Sequence, residues 1–268
     1  MIRLPDRDLS QRALEALARL QSEVDSLTTY EERVRHAKLS FKANNTRTSP
    51  IFREVRGALD EICSGSRRCC YCEDSYADEV EHILPKDLYP EHTFAWLNYL
   101  YACGPCNSPK GSRFAVIDQS GALVEITRKP NDPIVPPQTG YPALINPRIE
   151  DPLRYIELDL IDTFMFLPSE DLDEISYLRA GFTIRLLSLN IREVLVQSRR
   201  TAYGSYRARL YEYRDKKALG SNQQELDALA KGIKSMGQST VWFEMKRQAV
   251  LIDELGALFE EIPEALAW

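Results

Sequence analysis

The 268-residue sequence predicts an α+β protein, mainly helical, built on a small metal-stapled core with one additional β-hairpin. Three observations predict this. Cys69-x-x-Cys72 and Cys103-x-x-Cys106 form two knuckles, each able to place two thiolates on one tetrahedral zinc. Apolar residues recur at helical spacing both before and well after this cysteine-rich stretch. Residues 155–160 and 163–167 alternate apolar and polar side chains across Ile161-Asp162, as a hairpin with one buried face does.

Residues 1–68 read as a helical region. Leu9, Ala13, Leu17, Leu20, Val24 and Leu27 keep one apolar face without Pro or Gly, and the pattern breaks near Thr28 and Thr29, giving two helices. His36, between Arg35 and Lys38, reads as exposed or edge-packed. A polar loop from Asn44 leads to Pro50, whose fixed φ suits the first position of a helix running to about Cys63. Ser64-Gly65-Ser66 ends it. Residues 69–115 form the cysteine-rich core. Residues 116–153 are punctuated by Pro130, Pro133, Pro136, Pro137, Pro142, Pro147 and Pro152. They predict an extended surface belt anchored by Ile134, Val135, Leu144 and Ile145, and a belt of this kind often covers a site. Residues 154–268 predict the hairpin and then helices at about 181–189, 191–217, 223–235 and 241–261. Asn190 and Ser239 are candidate N-caps.

With 44% hydrophobic and 28% charged residues the composition is that of an ordinary globular chain. No stretch approaches the apolar length of a membrane span, and the start lacks a signal-peptide pattern, so a cytoplasmic setting is expected. In a reducing compartment, six cysteines read better as metal ligands plus spares than as disulfides. The net charge of -6 argues against a broad basic surface for nucleic acid. Charge is uneven, however: residues 247–268 are acidic apart from Arg247, whereas 192–217 and 35–68 lean basic.

The cysteine-rich core holds two kinds of chemistry. Cys69, Cys72, Cys103 and Cys106 suit a structural zinc, because four thiolates leave no open position for water. Cys70 is the weaker alternative to Cys69, since a C-x-C bite is less usual for one zinc, and Cys63 is spare. The long interval between the knuckles contains structure of its own. Within it, residues 77–83 can form a strand with Glu79, Glu81 and Ile83 on one face and Val80 and His82 on the other. Glu81 beside His82 pairs a ligand for a hard metal with an imidazole free to take a proton from water.

Glu81-His82-Ile-Leu-Pro-Lys86, Trp96-x-Asn98 and Cys103-x-x-Cys106-Asn107-x-x-Lys110-Gly111 together resemble an HNH endonuclease with its ββα-metal fold. The resemblance implies His82 as general base, Asn98 as the residue that holds the loop so that His82 is oriented, and Glu81 with Asn107 as ligands of a catalytic metal. Two positions depart from the pattern: the residue before the base is often Asp or His and is Glu81 here, and the third position is Asn107 rather than His. Both substitutes offer oxygen, which suits Mg²⁺ or Mn²⁺. Lys86, Lys110 and Arg113 are candidate phosphate contacts, and His92 has no place in the pattern. A softer likeness over about residues 50–200 includes Leu144-Ile-Asn-Pro147 and Leu189-Asn190 with Arg199 downstream. It is similar to the PtuB-type nucleases of Septu and retron-associated anti-phage systems. It implies a DNA or RNA substrate, a PtuA-like ATPase partner and, in the retron-associated branch, a reverse transcriptase with its non-coding RNA/DNA. The other readings are a catalytically inactive zinc-stabilised interaction module and a stand-alone restriction-type nuclease. The last helices pack on their predecessors or, alternatively, dock on a partner.

Overall fold

The computed structural model describes all 268 residues. Three helices come first: α1 (Gln11–Asp25), α2 (Tyr30–Asn44) and α3 (Pro50–Ile62). Each is opened by a hydroxyl that accepts from a first-turn amide: Ser10, Thr29 and Ser49. Thr29 and Glu32 complete a reciprocal capping box, which is why the chain breaks there and restarts as a new helix.

Strand β1 (Glu79–His82) pairs antiparallel with β2 (Tyr99–Ala102), setting His82 opposite Tyr99 and Glu79 opposite Ala102. The helix α4 (Gly104–Lys110) follows at once and packs against β1, making a ββα unit. The N-terminal helices cover this unit. Phe41 of α2 and Phe52 of α3 lie against Tyr99, and α3 packs on β2.

The belt differs from expectation in carrying strands. Strands β3 (Phe114–Ile117), β4 (Leu123–Ile126) and β5 (Tyr141–Pro142) form a small antiparallel sheet in the order β4-β3-β5. Asp118 closes the β3–β4 turn by accepting the amides of Ser120 and Ala122, and Gly121 takes the positive φ of 85° that the turn needs. Leu144 and Ile145 are buried anchors as expected, but Val135 is exposed.

The hairpin of β6 (Ile156–Leu158) and β7 (Phe166–Pro168) is present, and five helices follow. These are α5 (Glu174–Leu186), α6 (Glu193–Ala218), α7 (Gln223–Lys234), α8 (Ser239–Arg247) and α9 (Asp253–Glu261). Four expectations are corrected. Helix α5 starts well before residue 181, at an Asp173 cap, and its burial on several sides blurs its periodicity. Asn190 does not cap α6: its amide bonds both the N–H and the C=O of Phe166 at 2.8 Å, pinning β7. The expected single helix over 241–261 is two, because Gln248 turns its side chain to Leu158 O (2.7 Å) and the chain bends there. Gln238, not Ser239, occupies the cap position of α8, with φ at 59°.

One buried cluster of 63 residues runs from Met1 to Ala265 and joins all parts of the chain. The fold is thus α+β and mainly helical, with small antiparallel sheets and a buried four-cysteine cluster of the zinc-stabilised kind. No helix is long and apolar enough to cross a membrane.

Candidate active site and metal centre

The ligand sulfurs of Cys69, Cys72, Cys103 and Cys106 all lie within 4.8 Å of one another and all four residues are buried. Cys72 Sγ and Cys103 Sγ are 3.8 Å apart. A tetrahedral zinc with Zn–S near 2.3 Å separates its sulfurs by about 3.8 Å, so the cluster fits that ion. Four thiolates leave such a centre anionic, and two groups answer that charge. The Cys103 amide donates to Cys69 Sγ at 3.3 Å, and Arg192, just ahead of α6, donates to Cys106 Sγ at 3.1 Å. Nothing in the knuckle spacing points to Arg192. Cys70 stands outside the cluster, with its sulfur 3.8 Å from Cys63 Sγ. The first knuckle turns through Glu73 at φ 58°, whose buried carboxylate accepts from the Met1 ammonium and Thr240 and so ties the staple to α8.

Beside this frame lies a groove of about 580 Å³, lined by Glu79, Glu81 and His82 from β1, Asn107 from α4, Lys86, Asn45 and Arg47 from the α2–α3 connection, and Arg56 from α3. His82 is only 3% exposed. Its ring meets Phe41 edge-on at 4.4 Å and Tyr99 at 5.2 Å. Nε2 lies 3.0 Å from the carbonyl of Thr93, so Nε2 carries the proton and donates, leaving Nδ1 as the acceptor. The same carbonyl accepts from Tyr99 Oη at 2.7 Å. Burial first, and then the nearby ammonium of Lys86, hold the His82 pKa well below the ordinary imidazole value. The ring is therefore neutral at pH 7.

Asn98 sits at the end of the β1–β2 loop and closes it. Its Oδ1 accepts from Leu84 N at 2.7 Å, and its Nδ2 donates to Leu84 O at 3.0 Å and His92 O at 2.9 Å. His92 itself is exposed and contributes only that carbonyl.

Glu79, Glu81 and Asn107 supply oxygen donors to the groove lining. Asn107 Nδ2 donates to Glu79 Oε2 at 2.5 Å, which leaves Asn107 Oδ1 as an acceptor. Glu79 carries no role in the sequence motif, although its position two residues before Glu81 places it on the same strand face. Glu81 Oε1 lies 2.5 Å from Lys110 Nζ, so its other oxygen is the one that could hold a metal. A carboxylate and an amide oxygen, with a second carboxylate behind the amide, fit a hard divalent cation such as Mg²⁺ or Mn²⁺.

Lys110 is not a phosphate contact. It is fully buried, and its ammonium is occupied by Glu81 and by His82 O at 2.8 Å, so it braces the strand that carries both residues. Arg113 is exposed, bonds Pro109 O at 2.7 Å and lies outside the groove lining. Lys86 does line the groove, its ammonium 5.2 Å over the Phe41 ring.

No protein-family model matches the chain, and no solved structure matches it. Over 63 residues the chain is 44% identical to the Septu protein PtuB of Bacillus thuringiensis, a stretch that covers 22% of this chain and 24% of that protein. The likeness thus spans less than a quarter of either protein, and over that stretch the chain resembles a Septu PtuB.

Proposed function

We propose that the chain is a divalent-metal-dependent endonuclease of the HNH type that hydrolyses phosphodiester bonds of DNA or RNA. One observation carries the reading: the buried, neutral His82 has its Nε2 anchored on a backbone carbonyl while its Nδ1 has no partner, and the ring borders a groove of oxygen donors and cations. Nδ1 is the base that takes a proton from water as the water oxygen attacks phosphorus in line with the departing 3′ oxygen. That oxygen leaves and is protonated from solvent, so the product carries a 5′ phosphate. Thr93 and Tyr99 keep the ring in the required tautomer, and Asn98 keeps the loop that presents Thr93. Glu81 and Asn107 are the proposed metal ligands, and Mg²⁺ or Mn²⁺ bound there supplies charge stabilisation at the phosphate. The zinc held by the four cysteines takes no part in the reaction.

The likeness to PtuB supports a role as a cytoplasmic effector of anti-phage defence, held by a PtuA-like ATPase and, in a retron setting, by a reverse transcriptase with its RNA/DNA. The competing reading is a catalytically silent interaction module, and it has the Lys110–Glu81 pair in its favour, because that cation lies where it competes for a ligand oxygen. Purified chain with Mg²⁺ or Mn²⁺, with and without a PtuA-like ATPase, separates the two. Cleavage that disappears in His82→Ala supports the nuclease. Equal inertness of both proteins on every DNA and RNA tried supports the silent module.

A further inference from the structure

The cations of this acidic chain are not equivalent. Three cations of helix α6 are paired by the acidic C-terminus: Arg207 with Glu254, Lys217 with Glu264 at 2.7 Å and Arg214 with Glu261 at 3.5 Å. The cations beside the active site are arranged differently. Arg47, exposed in the α2–α3 connection, makes no ion pair. Arg56 stiffens that connection by donating to Thr46 O at 2.9 Å, Phe52 O at 3.1 Å and Asn45 Oδ1. Both line the groove that holds His82.

A second groove, of about 990 Å³, lies between α2 and the proline-rich belt and shares Asp87 and Ser112 with the first, so the two are contiguous. Lys38, Arg128 and Lys129 line it. The carboxylate at the junction is already answered, because Asp87 pairs with Lys38 at 2.6 Å and its carbonyl accepts from Arg128. Glu31 is likewise paired with Arg35 at 2.5 Å. Lys129 is exposed and has no ion pair, and its backbone is held by Asp132 at 2.7 Å. Pro130 and Pro133 restrict the wall that carries it.

We infer that the two grooves form one path for a nucleic-acid strand, with phosphates along Arg47, Arg56 and Lys86 on one side of the cleaved bond and along Lys38, Arg128 and Lys129 on the other. This rests on the nuclease reading for the position of the cleaved bond. It gives the belt a function, as the outer wall of the path, and explains how a chain of net charge -6 holds a polyanion.

The test is fluorescence anisotropy on the zinc-loaded full chain carrying His82→Ala, which binds without cutting, with a labelled dinucleotide and a longer labelled oligonucleotide across a salt series. Arg47→Ala and Lys129→Ala each lower the slope of log affinity against log salt by about 0.7 to 0.9 for the long oligonucleotide, one phosphate contact apiece. Lys129→Ala leaves the dinucleotide unaffected. Lys234→Ala, an exposed cation outside both grooves, changes neither. A Lys129→Ala protein that matches Lys234→Ala at every salt concentration overturns the path, as does a chain that binds no oligonucleotide. If the slopes fall as stated but the unsubstituted chain cuts nothing with Mg²⁺ or Mn²⁺, the path stands and the nuclease reading falls.

Discussion

Replacement of Asn98 probes how the active-site loop is held. The Asn98 side chain makes three hydrogen bonds, to Leu84 N (2.7 Å), Leu84 O (3.0 Å) and His92 O (2.9 Å), from a position 5% exposed. At about 1 kcal/mol net for each bond, Asn98→Ala costs about 3 kcal/mol, and more if the Leu84 amide is left without water. Asn98→Asp is nearly isosteric and keeps the acceptor for Leu84 N, but it turns a carboxylate oxygen toward two carbonyls, so it should cost about as much. The effect reaches the chemistry because the same loop carries the Thr93 carbonyl on His82 Nε2. Displacement of that carbonyl frees the ring to rotate, and cleavage should fall by about 100-fold, the usual consequence of a misplaced catalytic group. Urea denaturation of the zinc-loaded proteins gives the stability and a nicking assay gives the rate. If both variants lie within about 0.5 kcal/mol of the parent, the loop-closing role assigned to Asn98 is wrong.

Further outcomes follow from the same geometry. Cys69→Ser or Cys106→Ser should lose the tightly held zinc and most folded signal, whereas Cys70→Ser keeps the metal, by total metal analysis and circular dichroism. Lys110→Met strands the buried Glu81 carboxylate and should destabilise by about 3 to 5 kcal/mol, while Arg113→Ala, on an exposed side chain, changes stability by under about 0.5 kcal/mol. The depressed His82 pKa has a definite sign. Between it and the unfolded value near 6.5, the unfolded chain binds a proton that the native chain does not, so stability falls as pH drops through that window. The slope, at most about 1.4 kcal/mol per pH unit from this group, should vanish in His82→Leu in parallel urea titrations. By the same cause, the acid limb of cleavage should lie below pH ~6.5.

The parts of the molecule that follow from local chemistry were legible in the sequence. Paired CxxC spacing groups the four cysteines without a structure, and Thr29, Pro50 and the alternation in 155–167 mark their elements because caps, fixed φ and period-two patterning act over a few residues. What depends on distant partners was not legible. Phe114–Ile117 is buried throughout and shows no alternation, so the β3–β4–β5 sheet stays hidden in the belt. Lys110 has the type and spacing of a phosphate contact, and only the depth of α4 against β1 shows it to be a brace. Arg192 lies 86 residues from the cysteine it contacts, and Arg47 and Arg56 reach the groove from the α2–α3 connection and from α3, ahead of the motif. Glu79 was within reach, since its strand face is shared with Glu81, but its partner Asn107 lies across the ββα unit.

The central claim is a division of labour: four cysteines and a zinc build the frame, and His82 with its oxygen-donor neighbours cuts. It is tested most directly by measuring zinc content and Mg²⁺- or Mn²⁺-dependent cleavage on the same preparation of His82→Ala beside the parent chain. The account predicts about one zinc per chain in both proteins and cleavage in the parent alone. A His82→Ala protein that cuts at the parental rate, or that loses its zinc together with its activity, would contradict it.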